Sequence, residues 1–434
     1  MAQNVRPGII GLSVGILGFV FEKASQYLLE LGVSGHGTIL ESGARRMDST
    51  DGALASGHAS IGWPLPGGQG PEAGPGAKGQ GPANDQWHEG FERLAESYGI
   101  SAKPINVAQT YRLYLRCWTD KASVLAAVGA NNPENSIWRY FGAKFAAIGL
   151  PVPIFYYSNI IFDEEHKNFV NLAIIEDCGN ESLVAFAQRQ VSSGAIVDAY
   201  KDAADTLACW HSRGLAAFDS PHELQLPHSF QMVRDVLWKR FTDNYGLLGL
   251  PVPFPSPGIM AEGLELCRKV EFEGMGKVLL HNEYQGRNLL MSRSGLKAID
   301  WAGARMGPAI CDLASLLYDP EVSLSHEAKA EIVETYFKVM GAKAEIGPFM
   351  RDMGLTALMW LLCLFGNNAY KFGRIHIQSA VGCLKPIMAR LREIAAFLGP
   401  IGCPSIYRLI DDTLAGLDSV FPPTENNQGQ GLNS

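Results

Sequence analysis

No two cysteines in this chain stand at the C-x-x-C spacing of a zinc or redox site, and none sits beside histidines at metal-ligand spacing. The eight cysteines, at 117, 178, 209, 267, 311, 363, 383 and 403, lie mostly inside apolar runs such as Leu362-Cys363-Leu364. They read as small buried hydrophobes in a reducing compartment, and the cytoplasm is the expected location. A basic excess is also missing. Lys and Arg number 36 against 44 Asp and Glu, a net charge of -8, so the electrostatic footprint of a nucleic-acid binder is absent. No apolar run reaches the length of a bilayer crossing. Gly8 to Phe21 spans 14 residues behind Arg6, but Glu22 and Lys23 follow where a signal peptide would carry its small-residue cleavage site. That segment is expected to be buried or to face a partner. The shorter apolar stretch Met359 to Phe365 reads as a core helix. With 47% hydrophobic and 18% charged residues, the chain has ample core material and is not globally disordered.

The length of 434 residues suits two lobes. Residues 31–90 hold a third of the glycines, and Pro64 to Pro82 offers almost no large side chains. Such a segment cannot bury enough surface to offset its ordering entropy, so it reads as a flexible linker after an apolar segment at 1–30. Ordered structure is expected from about Trp87. A small lobe, 91–178, follows. It contains strands at Thr110 to Cys117, Ala122 to Val128 and Val170 to Glu176, and a helix opened by Asn132-Pro133 and stopped by Gly149. From 179 to 420 helices dominate, at 196–213, 229–248, 325–340, 355–371, 376–397 and 404–417, with one β-rich island at 277–301. Residues 421–434 read as a disordered tail. The fold class is α+β, with a bilobal, kinase-like order of elements.

The island carries the chemistry. A polar loop, His281-Asn-Glu283-Tyr-Gln-Gly-Arg287-Asn288, lies between apolar strand pieces, and a Ser292-Arg-Ser-Gly295 turn returns the chain to Ile299-Asp300. Asn288 and Asp300 then emerge at neighbouring strand ends, where an amide oxygen and a carboxylate suit a hard cation such as Mg²⁺. Glu283 can accept a proton from a bound hydroxyl. A base with two metal ligands is a minimal kit for phosphoryl transfer. His281 reads equally as a core histidine. His211, alone in its helix, reads as a packing residue. Trp138, Tyr140, Phe141 and Phe145 read as core and helix surface, and Asp411-Asp412 as a solvated face.

The pattern His281-x-Glu283-x-x-x-x-Asn288, then Ile299-Asp300, then Asp312-Leu-Ala-Ser-Leu-Leu317, resembles the aminoglycoside and choline kinase-like phosphotransferases. Arg287-Asn288 and Met306-Gly-Pro-Ala-Ile-Cys-Asp312 look closest to the bacterial anomeric kinases of cell-wall amino sugars, the N-acetylmuramate and N-acetylglucosamine kinases. Arg112-Leu-Tyr-Leu-Arg116 is similar to that branch's second strand. Gly149-Leu-Pro-Val-Pro153 is similar to its turn after the first helix, and Ile174-Ile-Glu-Asp-Cys-Gly179 to its hinge. The resemblance implies ATP and Mg²⁺ as cofactors. Asn288 and Asp300 would bind the metal, position 283 would hold the base, and the 174–178 segment (Ile175, Glu176 and Cys178 among it) would meet the adenine through its backbone. His281 would orient the loop, and Asp312 would cap the next helix and brace the same loop.

Three departures accompany the resemblance. Glu283 stands where the family has Asp, and one methylene moves the carboxylate by about 1 Å. Residues 104–110 contain no Gly-rich phosphate loop. The strand Ala122 to Val128 has no lysine for the phosphates, a part that Arg112 or Arg116 would have to take, with Arg287 a further candidate contact to phosphate or substrate. The expected activity is phosphorylation of a small hydroxylated molecule, a sugar above all. The alternatives are a catalytically silent nucleotide binder of the same shape and an antibiotic-modifying phosphotransferase.

Overall fold

A computed structural model describes residues 19–26, 92–105, 112–130, 133–164, 167–190, 192–218, 229–252, 254–270, 277–341, 345–377, 379–399 and 403–421. The expected linker and tail lie outside these residues. The chain divides into two compact units, Met1–Arg139 with Ile154–Asp177, and Tyr140–Pro153 with Cys178–Ser434.

The first unit is built on one antiparallel sheet of order β1-β2-β3-β5-β4. Its strands are β1 (Ser101–Ile105), β2 (Arg112–Trp118), β3 (Ser123–Ala130), β4 (Phe155–Asp163) and β5 (Asn168–Glu176). Alternate residues of the inner strands, Val124, Ala126 and Val128 with Val170, Leu172 and Ile174, share one buried face, as the two-residue period requires. A helix at 19–26 closes that core. Val20, Phe21 and Ala24 recur at three- and four-residue spacing and are wholly buried. Phe19 meets Tyr157 and Phe21 meets Tyr98 ring to ring, while Ser25 Oγ donates to the Tyr98 carbonyl at 2.8 Å. Ordered structure therefore begins well before Trp87. The end of the apolar segment read from sequence is a buried piece of this core.

The second unit is mainly helical. Residues 140–153, read from sequence as part of the small lobe, group with it because Phe145 packs on Trp210, Phe218 and Trp301. The helix Ser193–Arg213 buries Tyr200, Leu207, Trp210 and His211. The long helix Ile346–Gly373 is apolar and long enough to cross a bilayer, but most of its apolar stretch is buried within the fold. It runs against the short helix Lys239–Asn244 so closely that a Cβ on Gly366 would lie 2.4 Å from the Arg240 carbonyl oxygen. The helix Pro257–Lys269 and strand β1 were not expected from the sequence.

Two small sheets supply the island. β6 (Lys277–Leu280) pairs antiparallel with β9 (Arg305–Pro308), and β7 (Leu289–Ser292) forms a hairpin with β8 (Gly295–Ala298). The helix Ile310–Leu317 follows directly. The molecule is of the α+β class, in a kinase-like order of elements.

Candidate active site

The loop His281–Asn288 has little regular structure, so its backbone polar groups need partners elsewhere. Three side chains at and just beyond the helix Ile310–Leu317 provide them. Asp312 accepts from His281 N at 2.7 Å and Asn282 N at 2.8 Å, one bond to each carboxylate oxygen. Ser315 Oγ donates to the Tyr284 carbonyl at 3.1 Å, and Asp319 accepts from Gly286 N at 3.1 Å. The three-residue spacing of 312 and 315 puts both on one side of the helix, and Asp319 follows just past its end. Tyr284 anchors the middle by donating its hydroxyl to the Ala203 carbonyl at 2.9 Å. At Gly286 a Cβ would fall 2.7 Å from Val184 Cγ2, so the loop passes there only as glycine.

Asp312 is not the helix cap expected from the sequence. The cap position is Ala309, and Asp312 sits in the first turn with its carboxylate aimed at the loop. Nor is His211 alone. Its Nε2 lies 3.1 Å from Asp312 Oδ2 and its Nδ1 lies 2.8 Å from the Tyr336 hydroxyl. The ring thus bridges the Asp312 carboxylate and the Tyr336 hydroxyl. His281 is fully buried against Trp210 and Tyr284. Burial lowers its pKa, and the Asp312 carboxylate acts in the opposite sense.

Glu283 points into a pocket, open to solvent yet walled by dense protein. Burial first, and the Asp300 carboxylate second, push its carboxyl up to about 7, while Arg240, Lys371 and Arg287 act in the opposite sense. Solvent in the pocket screens part of this, but the upward direction is what proton-transfer chemistry uses. Two of the site's residues have left-handed backbones, Asn282 at φ 71° and Asp300 at φ 66°. Asn and Asp tolerate that region best among residues with a Cβ, and such strain gathers at functional sites.

Asn288 and Asp300 stand at the open end of the β7–β8 hairpin, joined through Ile299 N donating to the Asn288 carbonyl at 2.9 Å. Asn288 Nδ2 donates to the Glu283 carbonyl at 2.9 Å, which turns its amide oxygen the other way. Asp300 is exposed, and no hydrogen bond or ion pair to its carboxylate is found among the described residues. Those residues contain no group of three His, Cys, Asp or Glu able to hold a metal. An oxygen pair fits Mg²⁺ nonetheless, because that ion keeps waters and takes the rest of its shell from substrate phosphates.

The remaining candidates divide. Arg287 Nη2 lies 3.3 Å from Glu321 Oε1, a partly exposed pair. Arg116 Nη2 donates to Asp177 Oδ1 at 2.8 Å and Nε lies 2.7 Å from Oδ2, which commits its guanidinium to a structural pair. Arg112 opens β2 opposite Gly129. Ile175 lies in β5 between Leu125 and Phe155, and Glu176 accepts from Ile154 N at 3.1 Å. Cys178 is buried at the start of the second unit's main segment.

The pocket beside Glu283 was not legible in the sequence. The long helix lines it with Thr356, Met359, Trp360, Leu364 and Asn367, and Arg240 lies across from a separate helix. The polar residues Thr356 and Asn367 interrupting an apolar helix at three- and four-residue multiples were the available signal.

Residues 142–348, just under half of the chain, match a family model described as a phosphotransferase enzyme family. Solved structures similar to this one include an ethanolamine kinase from Plasmodium vivax, with 12% identity, 75% of this chain and 88% of that chain covered, and a TM-score of 0.49. A choline/ethanolamine kinase family protein from Mesorhizobium loti matches with 15% identity over 73% of this chain and 92% of that chain, at a TM-score of 0.46. A choline kinase from Cryptosporidium parvum matches with 16% identity over 76% and 95%, at a TM-score of 0.44. Likenesses this distant carry no argument about substrate or chemistry. No curated protein matches the chain.

Proposed function

We propose that the protein transfers a phosphoryl group from ATP, with Mg²⁺, to a hydroxyl of a small molecule, a sugar or amino sugar. One observation carries this reading: a solvent-reached carboxylate, Glu283, with its pKa raised, on a loop pinned by Asp312 beside an oxygen pair suited to a hard cation. A base is most effective when its pKa lies near the operating pH. Glu283 takes the proton from the acceptor hydroxyl as its oxygen bonds to the terminal phosphorus and the bond from that phosphorus to the bridging oxygen breaks, releasing ADP. The Asp312 bonds hold the loop still, which matters because misplacement by about 1 Å can cost about 100-fold in rate. Asn288 and Asp300 would hold the metal, which when bound neutralises charge on the phosphates.

The test is acceptor-dependent ATP consumption across a panel of sugars and amino sugars. Glu283→Gln should lower the rate by about 10²–10⁴ and keep nucleotide binding. Asp300→Asn should weaken nucleotide binding only when Mg²⁺ is present. An unchanged rate in Glu283→Gln removes the base. Nucleotide binding without transfer to any acceptor selects the silent binder instead.

A further inference from the structure

We infer that the acceptor is amphipathic: a sugar hydroxyl reaches Glu283 on a molecule whose other end is an apolar group, aryl or alkyl, seated on the Trp360 stripe of the pocket. This deepens the phosphotransferase reading and rests on it for the hydroxyl chemistry, not for the apolar seat.

The pocket's walls differ by the element that supplies them. The loop His281–Asn288 contributes Asn282, Glu283 and Gln285, so its side is polar. The long helix contributes Thr356, Met359, Trp360, Cys363, Leu364 and Asn367, a stripe at three- and four-residue spacing. The four middle members are apolar. At one end, Thr356 Oγ1 donates to the Asp352 carbonyl at 2.9 Å, so its proton is spent within its own helix. From residue 356 to residue 367 the stripe runs about 16 Å along the axis, at 1.5 Å per residue, which exceeds one sugar ring.

A second apolar wall arises from a local irregularity. Met232 and Leu237 are five residues apart, which on an α-helix is an angle of roughly 140° and puts them on different faces. Here Val233–Trp238 is a π-helical turn, and Lys239 N donates to the Arg234 carbonyl five residues back. That wider turn stacks residues five apart, and both side chains line the one pocket.

The protein leaves this apolar surface incompletely covered. Leu237, Trp360 and Leu364 line the chamber yet are only half-buried. Trp360 meets no other aromatic ring among the described residues, although Trp210, Trp238 and Trp301 in the same unit each meet one. A half-covered indole in the pocket of the base gains by taking an apolar group onto its face, through buried area and through ring stacking. A free sugar would leave much of the stripe wet. The loop side and Arg240 hold the hydroxylated end, as the few polar groups of a mostly apolar pocket do.

Trp360 could instead stack on the sugar ring itself, and the experiment separates the two. Glucose, galactose and N-acetylglucosamine would be assayed for kcat/KM, each free, as phenyl and hexyl glycosides, and as 6-O-benzyl and 6-O-hexyl ethers. No one hydroxyl is then blocked throughout. At least one substituted member should exceed its free parent by about tenfold or more, the scale on which a hydrophobic pocket discriminates, with the aryl and alkyl arms telling which group is used. Trp360→Gln should cut that substituted-to-free ratio by about 10–100-fold. Leu364→Gln should cut it by a smaller factor, and Trp360→Phe should retain most of it. If Trp360 serves only the sugar ring, Trp360→Gln lowers free and substituted members alike. That unchanged ratio overturns the inference, as does a ratio near one in the wild type. If no compound is phosphorylated, calorimetric binding of the same set decides. A substituted sugar that binds more tightly than its parent, by a margin that Trp360→Gln removes, upholds the apolar seat while the transferase reading fails. Equal or absent binding of substituted sugar and parent overturns it.

Discussion

Two buried polar clusters lie in the second unit, made of the same chemistry and turned to different ends. In one, Asp312 gathers two loop amides and His211, and His211 in turn meets Tyr336. In the other, Lys329 donates to Glu393 at 2.8 Å, Arg390 pairs with the same Glu393, and Arg390 Nη2 donates to the Val322 carbonyl at 2.8 Å. The first cluster grips the backbone of an irregular loop. The second ties the helix His326–Val339 to the helix Ser379–Leu398. A buried charge bonded to loop backbone fixes where a neighbouring side chain stands. The same charge bonded between helices fixes how those helices pair. The first should govern activity as well as stability, the second stability alone.

The strongest test is Asp312→Ala. It strands two amides and a histidine in the interior, so it should cost about 3–5 kcal/mol in urea unfolding. Below its own unfolding transition the variant should still lose phosphate transfer almost entirely. Retained activity would break the contrast.

Asp319 sharpens it through pH. Burial pushes its carboxyl up to about 6 in the fold, against about 4 for an ordinary aspartate. The folded protein thus holds this proton more tightly than the unfolded chain does. Its contribution to stability therefore falls as pH rises from about 4 through about 6, by at most ~3 kcal/mol, and stays lost above that. Asp319→Asn should lose that part of the pH dependence while keeping what Glu283 contributes, so the difference between the two proteins' urea midpoints at pH 4.5 and 7 reads the effect. A constant difference would mean that Asp319 does not titrate there.

Lys329→Met belongs to the other cluster. Glu393 is half-exposed and partly rehydrates, so the expected loss is ~1–2 kcal/mol, with the kinetic constants for nucleotide and acceptor unmoved. A kinetic change larger than the stability change would erase the division of labour. Tyr336→Phe is the mildest. It removes one hydrogen bond to His211 and should cost ~1 kcal/mol, with at most a severalfold fall in rate transmitted through Asp312.

Much of the active-site island could be read from the sequence because its signals are local. A polar loop between short apolar runs, then a Ser-Arg-Ser-Gly turn, placed β6, β7 and β8 and brought Glu283, Asn288 and Asp300 into one neighbourhood. What brackets that loop was less visible. Ser315 and Asp319 look like ordinary helix residues until the fold brings their side chains to the Tyr284 and Gly286 backbone. Strand β1 contains Pro104, which demotes a strand reading. The helix at 19–26 is separated by a long Gly/Pro-rich stretch from the sheet it completes, so no local pattern could assign its burial. Arg240 sits in a helix where a basic residue is ordinarily a solvated one, and its place at the pocket depends on the long helix lying against Lys239–Asn244.

That helix contact has one further consequence. At Gly366 the missing methyl would fall about 1 Å short of van der Waals contact with the Arg240 carbonyl. The glycine therefore works as a depth gauge for the chamber, setting how far Arg240 leans over it. A single added carbon there would act as a wedge between two helices, resizing the chamber without altering any group that touches the reactants. Acceptor size in this scaffold can thus be tuned from behind the wall.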